Sequence, residues 1–266
     1  MFIRTLFYLK EYLFPSGCGG CGEALTSPED AYYGLCTSCR SFCETTLVAE
    51  NRCTICGKLL VTEKNICLSC RENQTSELRS PELRSAEIMS YNELFEKLNA
   101  IFPYSGKFKS ILGAYKFKRF LGVGNYLTYC LNRSLEGFAV TGIKEAAWVP
   151  VPPRPGKIKK QGWDQIEFLA RQLEKEYNHF QGESSQSICL PVSRCLKRLR
   201  SRSQKELNKQ ERGTNLKGRI LCIRQPPEIA FIFDDVITTG ATLNACAQAL
   251  LEAGAKKVYG ICLFYD

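Results

Sequence analysis

Eight cysteines stand as four Cys-x-x-Cys pairs between residues 18 and 70: Cys18/Cys21, Cys36/Cys39, Cys53/Cys56 and Cys67/Cys70. Two intervening residues let one tight turn aim both sulfurs at a single metal ion. Gly22 and Gly57, just beyond two of the pairs, let the backbone curl around it. Fourteen residues separate the first two pairs and ten the last two, room in each gap for a short hairpin. This spacing predicts two structural zinc sites of the ribbon type, in preference to disulfides or an iron–sulfur cluster. The ligands are taken in sequence, Cys18, Cys21, Cys36 and Cys39 for one site and Cys53, Cys56, Cys67 and Cys70 for the other; an interleaved pairing satisfies the same spacing. Such metals either replace a core too small to fold alone or present a docking surface for nucleic acid or protein. The other seven of the fifteen cysteines are scattered, most of them among apolar neighbours, and read as small core residues.

Charge separates the front of the chain from the rest. Residues 1–85 hold nine Lys/Arg against ten Asp/Glu, and residues 86–266 hold 27 against 17, so the net +9 comes wholly from the later part. Ten of those cations fall between Arg194 and Arg219, against only Glu206 and Glu211. A concentrated positive stretch calls for an anionic partner, polyphosphate or nucleic acid, or else is a solvated helical face. The near-neutral cysteine-rich front is poorly suited to gripping phosphates itself. Arg4, Lys10 and Glu11 interrupt the apolar opening, which holds no membrane-spanning run and no signal-peptide cleavage site. Phe2, Leu6, Leu9 and Leu13 recur there at helical spacing, so a short amphipathic helix packed on the body is expected. The expectation is a cytoplasmic protein without membrane insertion.

From Arg71 to Ser90 the chain is polar and lacks aromatics, which places a linker at 76–90. It divides an N-terminal helix and double zinc-ribbon domain, residues 1–75, from a second domain, 91–266. In that second part apolar runs alternate with helical stretches. "AAWVPVP", "IAFIFDD" and "KKVYGICLF" read as strands, and "DQIEFLARQLEKEY" and "ATLNACAQALLEAG" as helices, the last closed by Gly254. This is the pattern of a parallel sheet with helices on its faces, whose ligands sit beyond the carboxyl ends of the strands.

One such strand runs into "DDVITTGAT". Gly240 permits a tight turn, Thr238, Thr239 and Thr242 add hydroxyls, and the helix starting near Ala241 offers free amides and a positive dipole end. Together these make a site for a terminal phosphate. Asp234 and Asp235 would repel that phosphate, so they suit the vicinal hydroxyls of a sugar, with magnesium sharing the other anionic groups. The ligand implied is a sugar phosphate. No Walker loop is present, and the lone His179 leaves no zinc hydrolase or catalytic triad to build.

"FIFDDVITTGAT" resembles the phosphoribosyl-pyrophosphate signature of type I phosphoribosyltransferases. The cysteine front, "AYKFKRF", "VPVPPRPGKIKKQGWDQ" and "RLRSRSQKELNKQERGTNLKG" occur in the order seen in the ComF family of competence-associated, phosphoribosyltransferase-like proteins. The resemblance implies a type I phosphoribosyltransferase-like α/β domain behind a double zinc ribbon, binding phosphoribosyl pyrophosphate with magnesium. Asp234 and Asp235 would take the ribose hydroxyls. Val236, Thr238, Thr239, Gly240, Ala241 and Thr242 would take the 5′-phosphate, and Arg154 with nearby lysines would face pyrophosphate. Residues 198–212 would form a cationic flap. The chain departs from the family's Arg-Gly-Phe-Asn-Gln block at Gln161 and Asp164, which removes a cation from the pyrophosphate side. Two roles follow from the resemblance: pentosyl transfer from phosphoribosyl pyrophosphate, or a non-catalytic module that keeps the pocket and binds single-stranded DNA or other DNA-uptake proteins. An amidophosphoribosyltransferase is not the expectation, because residue 2 is Phe and no glutamine-hydrolysing domain with an N-terminal cysteine fits before the loop.

Overall fold

The computed structural model describes residues 16–77, 94–138, 145–180, 189–199 and 219–266. The expected N-terminal helix, most of the linker, and the flap beyond Leu199 lie outside the described residues.

Four parallel strands form the central sheet: β1 (Lys97–Pro103), β2 (Ala146–Pro150), β5 (Ile229–Ile237) and β6 (Lys257–Tyr265), in the order β1-β6-β5-β2. Val192 extends it beside β2 through a single parallel bridge to Trp148. The inner strands are buried on both faces, which is why their sequences read as near-continuous apolar runs. Alternate residues serve two cores. Phe231, Phe233, Trp148 and Ile261 face α4 (Gly106–Lys116), α5 (Leu121–Ser134) and α7 (Gln165–Phe180). Ala230, Ile232, Val149 and Cys262 face α8 (Ala241–Glu252) and a two-stranded antiparallel ribbon of β3 (Leu196–Arg198) and β4 (Ile220–Cys222).

The cysteine segments join these same cores. Cys18 and Cys39 pack with the α4/α5 face, and Cys53, Cys56, Cys67 and Cys70 pack with the α8 face. Each first pair lies on a turn closed by one antiparallel bridge, Gly17 to Ala24 or Arg52 to Leu59. Each second pair opens a helix, α2 (Thr37–Leu47) or α3 (Leu68–Glu77). Instead of a full hairpin, the first gap holds the short α1 (Pro28–Tyr33), whose first turn Ser27 caps through a 3.0 Å bond from the Asp30 amide. Cys43, Cys130, Cys195, Cys246 and Cys262 are buried, as expected of small core residues.

Two local choices position the site. Asp164 caps α7, its Oδ1 accepting from the amides of Ile166 and Glu167 at 3.0 Å each. Aspartate and asparagine serve about equally in this role, so Asp164 preserves the local structure expected of the family's Asn. Between Pro152 and Asp164 the chain makes a turn and the short α6 (Lys157–Gln161), bounded by Gly156 and Gly162 in left-handed conformations that a side chain would disfavour.

Candidate functional site

The ladder between β5 and β6 continues past the acids, pairing Val236 with Phe264 and Ile237 with Tyr265. The strand therefore does not end on the carboxylates, as its apolar run suggests, but two residues later. Successive side chains in a strand point to opposite faces. Asp234 consequently falls on the α8 side and Asp235 on the α4/α7 side. The two acids do not share one surface.

After Ile237 the chain turns through Gly240, at φ 72°, straight into α8. The bond from Asn244 N to Gly240 O, 2.9 Å, closes the first helical turn. The amides of Ala241, Thr242 and Leu243 are thereby left as first-turn donors. Thr239 Oγ1 lies 3.5 Å from the Ala241 amide, at the limit of a hydrogen bond, so that donor remains available. Asp234 and residues 236–243 line a cavity of about 70 Å³. At roughly 10–15 Å³ per water-sized group, that space matches one tetrahedral anion with its oxygens. The expected residues Asp234, Val236, Thr238, Thr239, Gly240, Ala241 and Thr242 thus come together here, and Asp235 does not.

Asp235 is 6% exposed and already engaged. Its Oδ2 accepts from Lys116 Nζ at 2.6 Å and from Gln165 Nε2 at 2.9 Å, and its Oδ1 accepts from the Val236 amide at 2.9 Å. Burial works against the Lys116 ammonium, but Asp235 outweighs it and holds the lysine above its ordinary range. Asp234 Oδ1 accepts from the Asp235 amide at 2.8 Å. Burial, then the neighbouring Asp235 charge, raises the Asp234 carboxyl well above the usual carboxylate range.

The cations divide in the same uneven way. Arg154 is exposed on the turn after β2. Arg198 is 8% exposed, with Nε and Nη2 buried and unpaired among the described residues. Burial and then the Arg154 charge hold it below the ordinary arginine value, while Cys246 and Asp234 act in the opposite direction. Arg194 is tied to Glu167 and Glu174. Of the four described cations in the basic stretch, Arg198 is buried and Arg194 is paired, while Lys197 and Arg219 are exposed.

In the cysteine segments the pairing is sequential. The sulfurs of Cys18, Cys21, Cys36 and Cys39 lie within 4.8 Å of one another, as do those of Cys53, Cys56, Cys67 and Cys70. Amides of Gly20 and Cys36 point at Cys18 Sγ, and that of Cys67 at Cys53 Sγ, at 3.3–3.4 Å. The hydrogen bond from Cys70, the largest influence, helps draw the Cys56 thiol down to about 5. Four converging sulfurs, one already disposed to ionise, suit a tetrahedral zinc ion at each group.

No protein-family model matches the chain. Among curated proteins it is 27% identical over 225 residues to the competence protein ComFC of Streptococcus pneumoniae, covering 84% of both chains. It is 26% identical over 234 residues to the DNA utilization protein YhgH of Escherichia coli, covering 86% of this chain and 96% of that one. It is 22% identical over 233 residues to competence protein F of Haemophilus influenzae, covering 78% and 93%. These relatives, named for competence and DNA utilization, match most of the chain at 22–27% identity.

Three residues of the chain were not singled out individually from the sequence. Lys116 stands inside "AYKFKRF" with nothing local to mark its partner. Gln165 was visible only as the end of the "QGWDQ" block. Arg52 donates to the carbonyls of Thr46, Ala49, Gly57, Ala100 and Ile101, joining the second cysteine turn to β1. Backbone acceptors leave no mark in a sequence. Among the described residues, no helix is long and apolar enough to cross a membrane.

Proposed function

We propose that this protein binds phosphoribosyl pyrophosphate with magnesium, as a cytoplasmic phosphoribosyltransferase-like component of DNA uptake, and carries two structural zinc ions. The supporting observation is the cavity at the head of α8, lined by Asp234, the three threonines and the first-turn residues Ala241 to Leu243. In this reading Thr238 to Thr242 hold the 5′-phosphate, Asp234 takes a ribose hydroxyl, and Arg154 faces the diphosphate. Magnesium suits the donor set: it takes one or two carboxylates together with phosphate oxygens. Here Asp234 supplies the carboxylate, and a cation beside it favours its ionised form. The chemistry open to such a site is displacement at C1 of the sugar. The C1–O bond breaks with its electrons going to pyrophosphate, while a nucleophile bonds C1 and gives up its proton.

A second reading keeps the pocket without turnover and assigns the function to single-stranded DNA or partner proteins of DNA uptake. It is favoured by the engagement of Asp235 with Lys116 and Gln165, which withholds one acid from the sugar. The names of the relatives, competence proteins and a DNA utilization protein, support the uptake connection in both readings. Calorimetry with phosphoribosyl pyrophosphate and magnesium tests the pocket. Binding that weakens at least tenfold in Asp234→Asn is expected, and no heat with millimolar ligand would overturn the proposal. Pyrophosphate release then separates the two readings.

A further inference from the structure

The polar groups around Asp235 form one continuous chain across four elements. Lys116, on the last turn of α4, donates to Asp235 Oδ2 at 2.6 Å. Gln165, at the start of α7, donates to the same oxygen through Nε2 at 2.9 Å. Its Oε1 accepts from Lys157 Nζ on α6 at 2.5 Å, and Lys157 also meets Asp164 Oδ2 at 2.6 Å. Asp164, Gln165 and Asp235 are each less than 10% exposed. Tyr115 Oη, beside Lys116, donates to the Gln165 carbonyl at 2.5 Å and fixes the backbone that carries the amide.

A glutamine amide has one accepting and one donating end. With Lys157 on Oε1, Nε2 must face Asp235; the reverse orientation would set an NH₂ against an ammonium. The position of Lys157 therefore decides which group Asp235 receives, and the reverse also holds. Three of roughly four acceptor positions on the Asp235 carboxylate are in use. The link to the cavity is short, because the Asp235 amide donates to Asp234 Oδ1 at 2.8 Å. A ligand that draws the Asp234 carboxylate away from that amide disturbs the chain at its first member. At the far end, Lys157 sits on the turn that also carries Arg154.

We propose that Lys116, Gln165 and Lys157 are positioning residues that couple occupancy of the cavity at Asp234 to the placement of the turn from residue 151 to 161. The proposal rests on the sugar-phosphate reading above. It says that recognition of the sugar end sets the turn that meets the remainder of the ligand. Buried, fully bonded networks transmit such changes because each member has few alternative partners.

Ribose 5-phosphate, which lacks the diphosphate, isolates the coupling. Calorimetry on the zinc-loaded full chain compares wild type, Lys157→Met, Gln165→Leu and the double variant, with melting curves alongside. Each single substitution is expected to weaken ribose 5-phosphate roughly tenfold, a typical coupling between linked sites. The double variant should be no weaker than the poorer single, since both break one chain. Lys157→Arg, which keeps a donor for Oε1, should recover most of the loss. If Gln165→Leu does not fold, Gln165→Glu replaces it: it keeps the Lys157 contact and sets a carboxylate against Asp235, with a loss of the same size expected. Should Lys157→Met weaken phosphoribosyl pyrophosphate but leave ribose 5-phosphate untouched, Lys157 meets the diphosphate directly and the coupling is wrong. Losses that multiply in the double variant also overturn it. A wild-type protein that binds neither compound sinks the sugar-phosphate reading itself, and the coupling with it.

Discussion

Replacing Arg52 by Met should detach the second cysteine group from the sheet. The guanidinium makes six contacts to five carbonyls on three segments, the end of α2, the Cys53–Cys56 turn and β1. Hydrogen bonds to a charged group contribute about 1.5–3 kcal/mol each, but contacts sharing one nitrogen do not add. Three donor nitrogens at the lower figure give roughly 4–5 kcal/mol. Part is offset because the variant no longer buries a charge, a cost visible in the lowering of Arg52 below its ordinary value by burial. About 3 kcal/mol of destabilisation remains, or some 6–12 °C in melting temperature for a chain of this size. Arg52→Lys should lose nearly as much, since one ammonium cannot span all five acceptors. Thermal unfolding of the zinc-loaded protein measures the shift, and the rate of zinc loss to a chelator should rise for one ion and not the other. A melting point within 1 °C of wild type, with both ions released as before, would refute the reasoning.

Asp234→Asn should stabilise the ligand-free protein by an amount that grows with pH. A carboxyl raised in the folded state binds a proton there that the unfolded chain has released, so wild-type stability declines as pH climbs above about 4. Melting curves from pH 5 to pH 8 should show the gap widening, and a constant gap would count against burial of that charge. Arg198→Met should raise the melting temperature by removing buried N–H groups that are unpaired among the described residues, while weakening phosphoribosyl pyrophosphate binding in the same titration. A lowered melting point would mean that Arg198 serves the fold.

What was legible in the sequence is what spacing encodes. Two residues between cysteines, a Gly after "TT", and apolar runs alternating with helical periods each fix a local geometry, and the structure contains all three. The separation of Asp234 from Asp235 was not legible. It shows only in their partners: Asp235 meets Lys116 and Gln165 while Asp234 lines the cavity at α8, and the next two residues do not keep the alternation, Val236 packing with the α4/α5/α7 core and Ile237 with the α8 core. Long-range partners were equally hidden. Lys116 and Asp235 are 119 positions apart, and Arg52 reaches carbonyls 48 and 49 positions away. A count of cations could not distinguish Arg198, which is buried, or Arg194, which is paired, from residues facing solvent.

The place of the second cysteine group relates it to the cavity at the head of α8 in the same chain. β1 is an edge strand, and an uncovered edge invites pairing with other chains. The Cys53–Cys56 turn covers it: the Ala100 amide donates to the Cys56 carbonyl at 3.1 Å. Any side chain at Gly57, already at φ 71°, would meet Asn99 Cα at 2.7 Å. The same turn grips the end of β6, with the Leu59 amide donating to Tyr265 Oη and Lys58 Nζ to the Asp266 carbonyl. Asp266 in turn donates its amide to the Ile237 carbonyl at 3.2 Å, and Ile237 is the last strand residue before the threonine loop. An ion that organised residues 53–70 would therefore hold the strand end from which the threonine loop departs. It would act as part of the cavity's foundation, which a detached ribbon could not do.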